Sequence, residues 1–162
     1  MQIYFCYGFD GHGNGLIIFD GHGGKDSRNE FMGYLYEALI QKGIATFKDD
    51  EKLESGKPIR PELLEAIKES KFAIVILSEN YASSTWCLDE LAKIIHWKNE
   101  MGMTILPIFH YVDPLNVWKQ MGTFAEAFVI HEEKENKERV EKWRDALRQV
   151  GNLAGWHLKD TR

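Results

Sequence analysis

Two near-identical stretches open this 162-residue chain, FDGHGNG at 9–15 and FDGHGG at 19–24. Each sets an aspartate, a histidine and glycines at a point where an apolar run ends. A carboxylate held in a Gly-rich loop suits a divalent cation, but two-metal chemistry needs several carboxylates converging on one cavity. Downstream, Asp49, Asp50, Asp89, Asp113 and Asp145 fall in helix-like or charged-loop contexts, with no further Asp-Gly pair. The histidines show no ligand spacing: His12 and His22 belong to the glycine-rich loops and His96 points away from an apolar helix face. Cys6 and Cys87 are far apart and lack the spacing of a zinc site or disulfide framework, so the expectation is a reduced, intracellular chain with no metal.

FDGHGG does resemble the signature of metal-dependent serine/threonine phosphatases, where its Asp and Gly contribute to a two-metal site. That family needs a far larger double β-sandwich than 162 residues supply. Gly23 and Gly24 are read more simply as permitting a tight turn. The net charge of −5 argues against a nucleic-acid-binding face. No apolar run approaches the roughly 20 residues of a membrane span, and no signal peptide is recognisable.

The elements that must position any site alternate along the chain. LIIFD (16–20), IATF (44–47), FAIVIL (72–77) and TILPIF (104–109) read as strands, the third apolar on both faces as a central parallel strand should be. NEFMGYLYEALIQKG (29–43) reads as a helix with Phe31, Leu35, Ala38 and Leu39 on one face and Gly43 as its stop. A second helix spans 60–71, with Pro61 in its first turn. A long helix follows SENYASST, and 122–133 and 136–155 are helical beyond the connection YVDPLNV. The charged run at 132–142 is a solvated helix junction. QIYFCY (2–7) is either an extra hairpin edge or unstructured. This order predicts one α/β domain, a parallel sheet of four or five strands with helices on both faces. The expected divisions are a Gly-rich segment at 1–15, the domain at 16–158 and a tail at 159–162.

From Lys25 to Leu158 the chain resembles the Toll/interleukin-1 receptor (TIR) domain of plant intracellular nucleotide-binding, leucine-rich-repeat immune receptors. The stretches that carry the likeness are FKDDEKLESGKPI, PELLEAIKES, AIVILSENYASSTWCLDEL, LPIFHYVDP, GTFAEAF, KWRDAL and NLAGWHL, in the family's order. GGKDSR stands where the family carries its strand-A loop. The resemblance implies a flavodoxin-like three-layer fold with about five strands. It also implies an NAD(P)+ glycohydrolase, with NAD+ or NADP+ as substrate rather than cofactor, acting in disease resistance upon self-association. Glu90 matches the family's catalytic glutamate. Gly24, Arg28, Ser84, Trp86 and Cys87 match its substrate pocket, and Gly33, Tyr34 and Trp143 its self-association surfaces. The implied partners are further copies and other TIR domains, with neither nucleic acid nor membrane, in the cytoplasm or nucleus. The alternative implied by the same likeness is a non-catalytic homotypic adaptor.

The residues themselves fit Glu90 to such chemistry. Cys87, Leu88, Leu91, Ile94 and Ile95 form a buried stripe, and Glu90 lies at its edge near the helix N-terminus, flanked by Trp86 and Trp97. A carboxylate on an aromatic border suits a cationic, sugar-like transition state. A glutamate early in a helix is equally accounted for by the helix dipole. Ser84 and Thr85 are natural caps for this helix, Cys87 reads as core, and Arg28 is either a surface arginine or a phosphate partner. The chain departs from the family at Gly23, Lys25 and Ser55, and at Gly33-Tyr34, where the family commonly has a small residue and a histidine.

Overall fold

A computed structural model of the chain describes residues 2–7, 15–20, 28–49, 58 and 60–159, with side chains for 15–20, 31–47, 58 and 60–159. The strands are β1 (Gln2–Tyr7), β2 (Gly15–Asp20), β3 (Ala45–Asp49), β4 (Ser70–Ser78), β5 (Thr104–His110) and β6 (Trp156–Leu158). The helices are α1 (Arg28–Gln41), α2 (Pro61–Glu69), α3 (Thr85–Met101), α4 (Pro114–Lys119), α5 (Thr123–Lys134) and α6 (Lys137–Gly151). The sheet order is β3-β1-β2-β4-β5-β6.

β2, β4, β5 and β6 pair in parallel, as βαβ crossovers require. β1 is antiparallel to both of its neighbours, from Gln2 opposite Asp20 on one side to Tyr7 opposite Ala45 on the other. The hairpin of 2–7 with β2, one of the two expectations, is present, but β1 lies inside the sheet and not at its edge, and β3 joins it antiparallel where a parallel strand was expected. QIYFCY sits inside the sheet because an inserted strand satisfies backbone groups along both flanks, where an edge strand would leave one row unpaired.

Side-chain alternation along the strands separates two cores. Leu16, Ile18, Ile76 and Ile108 pack with Met32 of α1 on one face. Ile17, Phe19, Val75, Leu77 and Phe109 pack on the other with Leu63 of α2, Leu91 of α3, Phe124 of α5 and Leu147 of α6. β4 is thus covered on both faces, as its apolar run predicts. In α1, Phe31, Leu35 and Leu39 pack against the first of these cores as expected, Met32 is buried among them, and Ala38 is exposed. Gly43 (φ +76) does stop the helix, its N–H reaching Ile40 O at 2.9 Å.

α4 and β6 were not expected. Asp113 caps α4 by accepting from Leu115 N at 2.9 Å, and Pro114 takes its first position, so the segment read as a connection is a short helix. β6 is three residues long, and Gly155 before it lets the backbone pass directly over Pro107, where a Cβ would clash. Among the described residues, no helix is long and apolar enough to cross a membrane.

Candidate functional site

The start of α3 is built by short-range bonds between the end of β4 and the helix. Ser78 ends β4, Tyr81–Ser83 form a 3-10 turn, and Ser84 caps α3 by accepting from Cys87 N at 3.2 Å. The Tyr81 hydroxyl donates to Cys87 O at 3.1 Å, tying the turn to the helix it launches. Ser84→Ala is expected to lower stability by about 1 kcal/mol, read as the shift of a urea midpoint at constant slope.

Those bonds fix the direction of WCLDEL. Cys87, Leu88 and Leu91 face the core, Trp86 is about half exposed, and Glu90 is buried at 2 % exposure. Glu90 therefore lies deeper than the stripe-edge position expected of it. Trp97, two turns on, stacks on Phe19 with ring centroids 6.4 Å apart and planes 28° apart. Phe19 precedes Asp20, the last residue of β2, so this stack joins α3 to the strand that feeds the Gly-rich loop.

The carboxyl edge of the parallel strands carries a polar row. Asp20 ends β2 at 1 % exposure, Ser78 ends β4 at 6 % and His110 ends β5 at 5 %. Ser78 and His110 are register partners, and Asp20 pairs with Ile76. Open α/β sheets bind ligands at this edge. Sequence reasoning missed Ser78 and His110, although each is the single polar residue closing an apolar strand.

Asp89, one residue from Glu90, has a different set of partners. Its carboxylate accepts from Arg139 Nε at 3.2 Å, from a second Arg139 guanidinium nitrogen at 2.5 Å and from Trp143 Nε1 at 2.9 Å. The hydrogen bond to Asp89 holds the Arg139 guanidinium above its ordinary range, and Glu135 at 2.8 Å adds to that. His131 stacks edge-on against Trp143 at 5.1 Å and bonds Ala82 O at 2.7 Å. This network clamps α3, α5, α6 and the 3-10 turn together. It corrects the reading of Trp143 as a surface anchor: at 1 % exposure it is core.

Gly33 and Tyr34 are exposed on α1, Tyr34 at 73 %. Arg28 opens α1, and its side chain lies outside the described residues, as do Gly23, Gly24, Lys25 and Ser55. A concavity of about 480 Å³ between α3 and α6 is lined by Asp89, Lys93, His96, Arg139 and Trp143 among others, and Glu90 is not part of it. Among the described residues, no group of three or more His, Cys, Asp and Glu could hold a metal ion.

Comparison with known proteins gives a consistent picture. The TIR domain family profile matches residues 17–162. Disease resistance protein RPV1 of Vitis rotundifolia is 50 % identical over 139 residues, covering 86 % of this chain and 10 % of that protein. TMV resistance protein N of Nicotiana glutinosa is 50 % identical over 134 residues, covering 82 % of this chain and 12 % of that protein. The chain thus spans about a tenth of the curated relatives it matches. Among solved structures, the TIR domains of the activated Roq1 resistosome, which directly recognizes the pathogen effector XopQ, are 43 % identical, with a TM-score of 0.73 over 90 % of this chain and 88 % of that one.

Proposed function

This chain belongs to the TIR domain family, and on that premise we propose that it is an NAD(P)+ glycohydrolase of plant disease resistance, active when copies assemble. The observation that carries this reading is Glu90, a carboxylate 2 % exposed and fixed on a capped helix beside the carboxyl edge of a parallel sheet. Cleavage breaks the bond between ribose C1′ and the nicotinamide nitrogen. The electron pair leaves with nicotinamide, which departs neutral, so the step needs no general acid. Positive charge develops on the ribose, and a carboxylate already desolvated and held in place opposes that charge with little reorganisation. Water then adds to C1′ and gives up a proton, yielding ADP-ribose from NAD+ or its 2′-phosphate from NADP+.

The Roq1 relative is an assembly of TIR domains, and this chain presents an open surface for similar contacts. Tyr34 is 73 % exposed on α1, beside Gly33, where an added Cβ would meet nothing within 4 Å. Turnover per protomer is expected to rise steeply with protein concentration. A rate per protomer that stays flat on dilution, measured as nicotinamide release, would contradict assembly-dependent catalysis. Tyr34→Ala is expected to weaken self-association about tenfold or more without moving the melting midpoint. Light scattering showing unchanged association would remove Tyr34 from the interface.

The exposed Tyr34 surface also supports the second reading, a homotypic adaptor without turnover. An adaptor keeps its association when Glu90 is replaced and releases no nicotinamide in either form.

A further inference from the structure

Tyr111 follows β5 directly and is held at φ +54, a left-handed conformation that a bulky side chain rarely adopts. Among the described residues, the other non-glycine at positive φ is Gln120. The strain at Gln120 is offset locally: its side chain donates to Arg144 O at 2.9 Å and accepts from the Arg144 guanidinium at 2.8 Å. At Tyr111 the backbone is tied to β6, its N–H donating to Leu158 O at 3.0 Å, while the side chain makes no such bond: it stands 53 % exposed, its ring edge-on to His110 at 4.7 Å. Strain kept at an exposed aromatic points to a function for the ring.

Its surroundings indicate a ligand of mixed character. His110 beneath it is buried and also touches Phe31 of α1, with ring centroids 5.8 Å apart. Ser78, the register partner of His110, is 94 % buried, and its hydroxyl has no hydrogen-bond partner among the described residues. Beyond Ser78, toward β2, the edge ends in the carboxylate of Asp20. The crossover from β2 leads through α1 to β3 on one side, and that from β4 leads through α3 to β5 on the other. The ends of β2 and β4 therefore flank the point where strand order reverses, where open α/β sheets take nucleotides. An aromatic plane next to a row of hydroxyl, imidazole and carboxylate groups matches a nucleoside, a flat base joined to a sugar rich in hydroxyls.

We infer that Tyr111 is the stacking platform for the adenine base of the dinucleotide, with Ser78, at the end of the neighbouring strand, as a partner for its ribose. This rests on the glycohydrolase reading, in which Glu90 takes the nicotinamide ribose and leaves the other base for Tyr111.

The test uses concentrated Glu90→Gln protein, which binds without cleaving, and compares NAD+, AMP and nicotinamide mononucleotide. Tyr111→Asn is expected to weaken NAD+ and AMP about tenfold or more, the usual cost of losing one base–aromatic stack. It should leave nicotinamide mononucleotide within about twofold, and Tyr111→Phe should hold all three ligands. Because Asn accepts the left-handed conformation, its melting midpoint should rise by about 2–4 °C. Unchanged AMP affinity in Tyr111→Asn overturns the inference, whether the midpoint falls, as for a structural side chain, or self-association weakens, as for a docking residue. Absent AMP binding to the chain that keeps Tyr111 overturns it too. Tyr111→Ala gives the same comparison if the Asn form does not fold. Failure of the parent reading shows separately, as absent nicotinamide release from the wild type.

Discussion

Asp89→Ala is expected to lower folding stability by about 2–4 kcal/mol, a large effect for one exposed-looking residue of a charged helix. The substitution strands the buried Trp143 Nε1–H and leaves the Arg139 guanidinium with Glu135 alone. Arg139 is 32 % exposed, so water recovers part of its loss, which keeps the figure below that of a fully buried pair. For a chain of this length the melting midpoint should fall by about 5–15 °C. Asp89→Asn keeps one acceptor for Trp143 and should lose roughly half as much. Urea unfolding at constant slope measures both. An Asp89→Ala midpoint within 1 °C of wild type would show that the clamp between α3 and α6 contributes nothing.

Glu90→Ala, one residue along the same helix, is expected to do the opposite. Turnover should fall on the order of 10³-fold, the size of losing a preorganised charge at a developing cation. The fold should hold, because neither the Ser84 cap nor the Asp89 clamp that places α3 involves Glu90. Circular dichroism and melting of the purified variant, beside nicotinamide release, separate the two effects. The Asp89-Glu90 pair in WCLDEL thus divides the work: the first residue holds the helix in place, and the second is the group so held.

Much of the fold was legible because burial is written in local patterns. Four strands appear as apolar runs, and Ser84 and Gly43 punctuate their helices by known cap chemistry. What escaped depends on distant partners or on short elements. β6 has three residues, too few to show a period, and α4 hid behind a proline read as a connection. The place of β1 between β2 and β3 is set by which edges are open, which no local window reports. Trp143, 54 residues from Asp89, was placed on a self-association surface by the family likeness, and its neighbours Lys142 and Arg144 are charged. On a helix those neighbours point about 100° away, so their charge says nothing of its own face.

The candidate site was legible unevenly. Periodicity placed Glu90 at the margin of a buried stripe but did not give its depth, and the family likeness, not spacing, singled it out. Ser78 and His110 stood at the ends of apolar runs as ordinary punctuation. Their alignment across β4 and β5 becomes visible only with the strand register.

Catalysis by Glu90 is tested by nicotinamide release from NAD+ by concentrated wild-type protein, measured beside Glu90→Ala of equal helix content. Release by the wild type should fall on the order of 10³-fold in the variant. Equal release by both folded proteins, or none by the wild type under assembling conditions, would contradict catalysis by Glu90.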